Sequence, residues 1–405
     1  MKELIDRLVE NLGDREELSD EEIYDQIDRI ILGEALNTPM PLAKMEALRR
    51  NMFASVRGFD VLQELLEDSS ITEIMVNGYR KIYIERDGRI IKTDKMFTSK
   101  ERFEDVIQQM VSLANRRVNE ASPIVDSRLP DGSRVNVVLA PIAINGPIVT
   151  IRKFAKKPIT MDKLIEWGSV SREVAEFLRD LVVAGYNIFV SGGTGSGKTT
   201  FLNILSEFIP PEERVITIED SAELQLTHID NIVSLEARNN NAEGENGITI
   251  RDLIKTALRA RPDRIIVGEV RGEEAFDLLQ AFNTGHDGSL STGHANSPKD
   301  MISRLETMVL MGVDMPVAAI RSQIGAAIDI IVHLGRLRDR TRRVVSVTEV
   351  DGYGNGEVKY HEIFRFKEEG EDAFGRIIGC FEGDSGSLLN RTKLINAGIL
   401  KGDTA

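Results

Sequence analysis

The sequence predicts an α/β protein that carries a phosphate-binding loop in its second half. Residues 192–199 read GGTGSGKT, a complete G-x-x-x-x-G-K-[ST] pattern. The apolar run NIFVS directly precedes this pattern and the helix-like stretch TFLNILSEFI follows it, which is the strand–loop–helix context that such a loop needs. The chain has 405 residues, too many for one ordinary core, so we expect two or three domains.

Each residue type in the loop has a physical reason. The glycines free the backbone to turn sharply, so that successive N–H groups and the start of the next helix converge on phosphates. Lys198 would bridge the outer phosphates of a nucleotide, and the Thr199 hydroxyl would bind Mg²⁺. A glycine-rich helix start that binds nothing is the alternative, and the preceding strand argues against it. The predicted nucleotide-binding residues are Gly192, Gly193, Thr194, Gly195, Ser196, Gly197, Lys198, Thr199 and Thr200, and Thr199 is the predicted metal ligand.

Composition narrows the class of protein. Cys380 is the single cysteine, which excludes an internal disulfide framework and fits a reducing compartment. No apolar run approaches the roughly 18 residues of a membrane span, and the start MKELIDRLVENLGDREE is charged where a signal peptide is apolar. These features predict a cytoplasmic protein. The net charge of -14, without a basic block interleaved with aromatic residues, does not support direct nucleic-acid binding.

The first predicted region, residues 1–57, is helical. The run LIDRLVENL has apolar residues at helical spacing, and Ser19 with Glu22 forms a capping-box signal before IYDQIDRIILGEAL. The segment TPMP interrupts the pattern, and LAKMEALRRNMFASV resumes it. A small helical bundle is therefore expected.

The second predicted region, residues 58–155, is a compact α/β domain. ITEIMV and KIYIE alternate like strands, and Asp87-Gly88 is a hairpin turn after them. Thr98 with Glu101 predicts the start of a helix that runs towards Arg117. VNVVLAPI and PIVTIRKF are further predicted strands.

The third predicted region, residues 156–405, carries the chemistry. The β-rich run RVITIEDSAEL ends in Glu219 and Asp220, and the strand pattern of DRIIVGEVRG ends at Glu269. Acids that follow buried parallel strands project at the carboxyl edge of the sheet, where a phosphate loop also lies. Carboxylates there can hold hydrated Mg²⁺ and orient the attacking water. Either acid alone would more often be a solvated strand end, but the two together indicate catalysis.

Two histidines flank a short polar strand in TGHDGSLSTGHANSP. His286 and His294 are eight residues apart and lack cysteine or carboxylate partners at ligand spacing, which makes a weak zinc signal. We expect them to contact the γ-phosphate of the nucleotide or to relay its state to a neighbouring subunit. A structural role fits the pattern equally well.

Four segments in order resemble the boxes of the secretion superfamily ATPases of type II and type IV systems. GGTGSGKTT, TIEDSAEL, RPDRIIVGEVRG and TGHDGSLSTGHANS are similar to the Walker A, Asp, Walker B and His boxes of that superfamily. Upstream, ITEIMVNGYRKIYIERDGRI and SRLPDGSRVNVVLAPIAINGPIVTIRKF resemble the CpaF-like branch associated with Tad pili. The resemblance implies a RecA-like P-loop motor domain, preceded by a small PAS-like α/β domain and the N-terminal helical region.

The resemblance also implies ATP and Mg²⁺ as cofactors and assigns roles to residues. Glu269 would be the Walker B catalytic acid, and Arg134 and Arg152 match arginines of the preceding domain that reach the nucleotide phosphates in related enzymes. Solvated strand charges are the alternative for these arginines. Gly268 stands where other P-loop proteins have an aspartate before the glutamate, so the ligands of Mg²⁺ beyond Thr199 stay undefined. The residues matched to catalytic positions are Lys198, Glu219, Glu269, His286, His294, Arg134 and Arg152.

The function that the resemblance implies is a hexameric, ATP-hydrolysing motor. It would power assembly or retraction of a type IV (Tad/Flp) pilus, or secretion, through an inner-membrane platform protein that supplies its only link to the membrane. Domain closure around ATP would complete the site, and hydrolysis would release that closure.

Three alternatives stay open. One is the ATPase of a conjugation-type type IV secretion system, although the long N-terminal extension favours the CpaF-like branch. Another is a non-hydrolysing, nucleotide-gated binding module, against which the intact Glu219 and Glu269 argue. The third is a nucleic-acid translocase, which the acidic net charge disfavours.

Overall fold

A computed structural model of the chain separates into two compact units, residues 1–157 and 158–405. Each unit has its own β-sheet and its own hydrophobic core. The structure describes residues 4, 7–8, 11, 19–37, 39–56, 58–86, 88–114, 116–153, 159–238 and 247–401. Asp87 of the predicted turn and most of the predicted helical run LIDRLVENL lie outside the described residues.

The first unit begins with two helices, α1 (Asp20–Asn37) and α2 (Leu42–Val56). The predicted capping box is confirmed, because the Ser19 N–H donates to Glu22 Oε2 at 2.8 Å and the Glu22 N–H donates to Ser19 Oγ at 3.3 Å. The predicted interruption is also confirmed, since α1 ends just before the proline-rich segment. Ile23, Ile27 and Met52 are buried between the two helices.

A six-stranded antiparallel sheet forms the rest of the first unit, with the strand order β3-β2-β1-β6-β5-β4. Its elements are α3 (Val61–Glu67), β1 (Ile71–Asn77), β2 (Ile82–Arg86), β3 (Arg89–Lys92), α4 (Lys100–Ser112), β4 (Ile124–Arg128), β5 (Arg134–Val138) and β6 (Ile148–Arg152). The predicted hairpin of β2 and β3 is confirmed. The predicted cap of α4 is wrong by one residue, because Ser99 Oγ, rather than the Thr98 side chain, accepts the Arg102 N–H at 3.2 Å. The helix also ends before it reaches Arg117.

A nine-stranded sheet organises the second unit, with the order β15-β14-β13-β12-β7-β11-β10-β8-β9. The strands are β7 (Ile188–Gly192), β8 (Val215–Glu219), β9 (Ile232–Glu236), β10 (Arg264–Val267), β11 (Leu290–His294), β12 (Ile330–Arg336), β13 (Arg342–Gly354), β14 (Glu357–Glu371) and β15 (Ile377–Gly383). The six strands from β12 to β9 are parallel, and β13 to β15 extend the sheet in antiparallel fashion. Every residue of β7, β8 and β10 is buried, as expected for parallel strands covered on both faces.

Helices cover both faces of this sheet. They are α5 (Met161–Glu166), α6 (Arg172–Val183), α7 (Lys198–Ser206), α8 (Ile250–Ala257), α9 (Glu274–Asn283), α10 (Pro298–Gly312), α11 (Val317–Ala327) and α12 (Thr392–Asn396). One hydrophobic cluster contains residues of α6 and α7, and a second contains residues of α8 to α11. Among the helices of the described ranges, none combines the length and apolar character needed to cross a bilayer.

The segment after β15 packs back onto the second unit. The buried carboxylate of Glu349 on β13 accepts the N–H groups of Leu389 and Asn390, each at 2.8 Å. Leu388 and Leu394 are buried in the first of the two clusters. This part of the chain was uninformative as sequence but is an integral part of the unit.

Candidate nucleotide-binding and catalytic site

The phosphate loop joins the end of β7 to the start of α7, as predicted. Gly195 and Gly197 have φ angles of 71° and 92°, which side chains rarely adopt. A Cβ atom on Gly192 would lie 2.5 Å from the Leu334 carbonyl oxygen and 2.6 Å from Ser196 Oγ. Glycine is therefore required at these three positions by conformation or by space, and the loop fits the phosphate cradle that the pattern indicates.

Lys198 begins α7, and its ammonium lies next to the end of β11. The side chain is buried, its Nζ donates to the Gly193 carbonyl at 3.1 Å, and Nζ lies 3.2 Å from His294 Nδ1. Burial lowers the pKa of Lys198, and Arg271 adds to this effect while Glu269 opposes it. An ammonium in these surroundings is stabilised by the approach of an anion such as a phosphate.

Glu269 follows β10 and faces the same histidine. His294 Nε2 lies 2.9 Å from Glu269 Oε1, although the approach is not aligned as a hydrogen bond, and Arg271 Nη2 donates to Glu269 Oε2 at 2.6 Å. Glu269 Oε1 is buried and has no hydrogen bond within the described part of the chain, so it is able to accept one from a ligand or water. Burial, and then the charge of Lys198, lower the pKa of His294, which leaves the imidazole neutral near pH 7.

Glu219, the other predicted acid, ends the neighbouring strand β8 and is buried. Its Oε1 accepts the N–H of Glu223 at 2.9 Å and that of Leu224 at 3.3 Å. A Cβ atom on Gly268 would lie 2.8 Å from Glu219 Cγ, so the missing side chain at Gly268 makes room for this carboxylate. The structure thus gives Glu219 a role in holding the loop that follows β8, whereas Glu269 faces Lys198 and His294.

A cleft of ≈ 710 Å³ opens beside these groups and exposes residues that sequence reasoning missed. Arg271, Asn296, Asp300 and Arg304 line it together with the phosphate loop and His294. Asp300 and Arg304 lie four residues apart in α10 and so share one helix face. That spacing, just after the His box, was the available signal for them. Arg271 was visible in GEVRG but had no role assigned.

The structure brings His294 to the phosphate loop but does not bring His286 there. His294 pairs with Gly192 at the carboxyl ends of β11 and β7. His286 precedes β11 and so lies towards the amino-terminal ends of these parallel strands. The strand between them spans about 13 Å. His286 Nδ1 lies 3.2 Å from the Ala281 carbonyl oxygen at the end of α9.

The predicted arginines of the first unit lie opposite each other on adjacent strands. Arg134 on β5 pairs with Arg152 on β6, and Arg128 on β4 pairs with Arg134, so three arginines form a row across the sheet. Glu73 on β1 pairs with Arg152 at the end of this row. Sequence reasoning missed Arg128, because its place in the row depends on strand register. A row of like charges favours the binding of an anion.

The second unit is a P-loop nucleotide-binding domain, defined by its phosphate loop, the buried Lys198 and the acid Glu269. The fold is similar to that in the crystal structure of the pilus retraction motor PilT with bound ADP, with a TM-score of 0.52 and 22% identity over 68% of this chain and 77% of that chain. It is also similar to the X-ray structure of the Yersinia pseudotuberculosis ATPase DotB, with a TM-score of 0.53 and 18% identity over 75% of this chain and 78% of that chain. The predicted α/β fold class is confirmed.

The chain belongs to the type II/IV secretion system protein family, whose model matches residues 56–385. It is 34% identical over 315 residues to the probable conjugal transfer protein TrbB of Sinorhizobium fredii, which covers 76% of this chain and 93% of TrbB. It is 31% identical over 319 residues to the type IV secretion system protein PtlH of Bordetella pertussis, covering 72% of this chain and 94% of PtlH. An uncharacterized protein of Methanocaldococcus jannaschii, MJ0781, is 41% identical over 278 residues; the match covers 66% of this chain and 38% of that protein.

Proposed function

We propose that the chain is an Mg²⁺-dependent ATPase that drives a secretion system. The observation that carries this proposal is the convergence of Lys198, His294 and Glu269 beside the phosphate loop at one edge of the sheet. A buried cation next to a phosphate cradle neutralises charge on a transferred phosphoryl group, and an acid with a free oxygen orients water. ATP hydrolysis is the reaction that needs these parts together.

ATP and Mg²⁺ fit the residues present. Thr199 is half-buried and Thr200 exposed in the first turn of α7, the positions from which hydroxyl groups contact Mg²⁺ and phosphates. Among the described residues, no three His, Cys, Asp or Glu side chains gather as a metal site. We assign Thr199 as the protein ligand of Mg²⁺, together with the nucleotide and water. Bound Mg²⁺ supplies neutralisation of phosphate charge. In the chain itself, Lys198 binds the phosphates and Glu269 Oε1 accepts a hydrogen bond from the attacking water and takes up its proton.

The active form in this proposal is a homo-hexameric ring. Lys198 is a buried cation beside the phosphate loop, and phosphoryl transfer gains from further positive charge around the transferred group. We assign that charge to Arg134 and Arg152, which would reach the nucleotide when domains close. Hydrolysis then releases closure and displaces an inner-membrane platform protein, so the chain would act in the cytoplasm at the inner face of the membrane.

Between the two secretion branches, the conjugation-type type IV system has the stronger support. TrbB and PtlH are named for conjugal transfer and type IV secretion, and the matches span 93% and 94% of their lengths. The CpaF-like pilus branch is the second candidate, supported by the upstream resemblance and the N-terminal helices. The neighbouring genes separate the two: pilin, prepilin peptidase and two platform genes would favour the pilus branch, and conjugation genes the other.

Phosphate release from Mg-ATP tests the ATPase proposal. Lys198→Ala and Glu269→Gln should each lose roughly 100-fold or more in turnover, because each removes a catalytic charge. Glu269→Gln should still bind ATP, whereas Lys198→Ala should bind it poorly. Glu357→Gln is the matched control, since it removes the same charge from an exposed position on β14. Turnover at the wild-type level in both site variants would refute the assignment.

The role of the first unit has its own test. A fragment of residues 158–405 contains a complete core and should fold, yet it should lose most turnover if Arg134 and Arg152 contribute. Arg134→Ala and Arg152→Ala in the full chain should reproduce the loss without removing the unit. Full turnover in the fragment, or in a full-length monomer at high dilution, would contradict the ring model.

A further inference from the structure

The hairpin of β12 and β13 lies beside the phosphate loop, on the flank opposite the acids. β7, which leads into the loop, has β12 as one neighbour and β11, which ends at His294, as the other. The hairpin sequence LGRLRDRTRR contains five arginines, at 336, 338, 340, 342 and 343. Neither the family boxes nor the proposed chemistry uses them.

Two of these arginines converge on one glycine of the phosphate loop. Arg342 Nε donates to the Gly195 carbonyl oxygen at 2.8 Å. A Cβ atom on Gly195 would lie 3.9 Å from Arg336 Nη1, and one on Gly197 would lie 3.5 Å from Arg342 Cδ. Side chains from two different strands therefore reach the same three-residue stretch of the loop.

Two other arginines of the hairpin have partners away from the loop. Arg338 donates to Glu371 Oε1 at 2.9 Å and to Glu368 Oε2 at 2.6 Å. Arg343 donates to the Ile377 carbonyl oxygen at 2.6 Å and lies over the ring of Phe366. These two residues hold β14 and β15 against the hairpin and are explained by the fold.

Arg336 and Arg342 have no ion pair with a carboxylate in the part of the chain that the structure describes. They face each other directly across the antiparallel strand pair, so two like charges project from the same face of the hairpin. Such a pair is destabilising unless an anion lies between or beside the guanidinium groups. Both side chains are exposed, and the guanidinium fork suits phosphate oxygens.

We propose that Arg336 and Arg342 form a same-subunit site for the inner phosphates of the nucleotide. This inference rests on the proposed function. The γ-phosphate has to face Glu269 and His294 on the β11 flank, so a polyphosphate that lies across the loop presents its inner phosphates on the β12 flank. Arg336 contacts the nucleotide, and Arg342 is a positioning residue that holds the loop through the Gly195 carbonyl. ATP and ADP share these phosphates, so the pair stabilises both alike and affects binding rather than the chemical step.

Nucleotide binding and turnover of the full-length chain test the inference. Arg336→Ala and Arg342→Ala should each raise the Kd for Mg-ADP and for a non-hydrolysable Mg-ATP analogue roughly five- to tenfold, with the same rise in KM for ATP. The kcat should stay within about twofold of wild type. Arg342→Lys should recover part of the affinity, because it keeps the charge. Arg340→Ala, in the turn of the same hairpin, removes an equal charge and should bind as wild type does.

The outcomes separate the two proposals. A wild-type chain that binds neither nucleotide overturns the proposed function and the inference with it. If the wild-type chain binds and hydrolyses ATP and both alanine variants bind nucleotide with the same affinity, the role of the arginine pair is refuted and the proposed function is not affected. A loss confined to kcat or to the ATP analogue also refutes it, because that result would place the arginines at the γ-phosphate. An equal loss in Arg340→Ala, or a lowered Tm without recovery in Arg342→Lys, would show a merely structural or long-range effect and overturn the inference.

Discussion

Replacement of Glu219 by glutamine separates two roles for this carboxylate, catalysis and the support of a loop. In the structure the buried carboxylate accepts the N–H groups of Glu223 and Leu224, at 2.9 and 3.3 Å. Glutamine keeps the shape but loses the charge. Hydrogen bonds to a charged group contribute about 1.5–3 kcal/mol, against about 1 kcal/mol for neutral pairs, so we expect the free energy of unfolding to fall by about 2 kcal/mol.

For a unit the size of residues 158–405, this loss corresponds to a fall in Tm of roughly 4–8 °C. Scanning calorimetry and phosphate release on the same preparations test it, with Glu357→Gln as the control for loss of one charge. We expect Glu219→Gln to lose stability and to keep more turnover than Glu269→Gln. An unchanged Tm together with a loss of about 100-fold in turnover would refute the structural role and make Glu219 a catalytic acid.

Four further predictions concern the site and the N-terminal helices. Burial, and then the charge of Lys198, lower the pKa of His294 from its ordinary value, so NMR titration of Lys198→Ala should give a higher pKa than wild type. An equal or lower pKa in the variant would contradict the described electrostatics. Because folding lowers this pKa, the contribution of His294 to stability is fully present above pH 6.5 and should be lost as the pH falls towards the folded-state pKa. His294→Ala should lower turnover roughly tenfold or more, whereas His286→Ala should leave turnover near the wild-type level. A comparable loss of turnover in His286→Ala would mean that His286 acts on a neighbouring subunit. Deletion of residues 1–57 should lower Tm, because Arg102 donates to the Ser55 carbonyl oxygen at the end of α2. Retained turnover with lost secretion or pilus assembly would support partner docking, and unfolding would support capping. No effect on any readout would exclude both roles.

The phosphate loop and the order of its acids were predictable because they depend on local sequence. A glycine pattern between an apolar strand and a helix start encodes the loop within about ten residues, without information from distant parts of the chain. Parallel strands share a carboxyl edge, so the position of Glu269 followed from the strand it ends. The capping box at Ser19 was predictable for the same reason, because its partners are three residues apart.

Other features depend on contacts that one sequence does not reveal. The acceptor role of Glu219 requires the conformation of the loop at 221–224, and the convergence of Arg336 and Arg342 requires the register of a hairpin that is distant in sequence from the phosphate loop. The sequence did not separate His286 from His294, because the five-residue strand Leu290–His294 places the second histidine about 13 Å beyond the strand's start, whereas the first lies before the strand. Strand length alone would have separated the two histidines.

The packing of the C-terminal segment bears on where the chain can be cut. The family match ends at residue 385, but Leu388 and Leu394 are buried beyond that point, and Glu349 depends on the N–H groups of Leu389 and Asn390. A protein trimmed to the family boundary would lose both N–H donors of this carboxylate and would expose the apolar residues that Leu388 and Leu394 cover. Homology boundaries therefore underestimate the folding unit here, and a shortened protein that aggregates would say nothing about its ability to bind nucleotide.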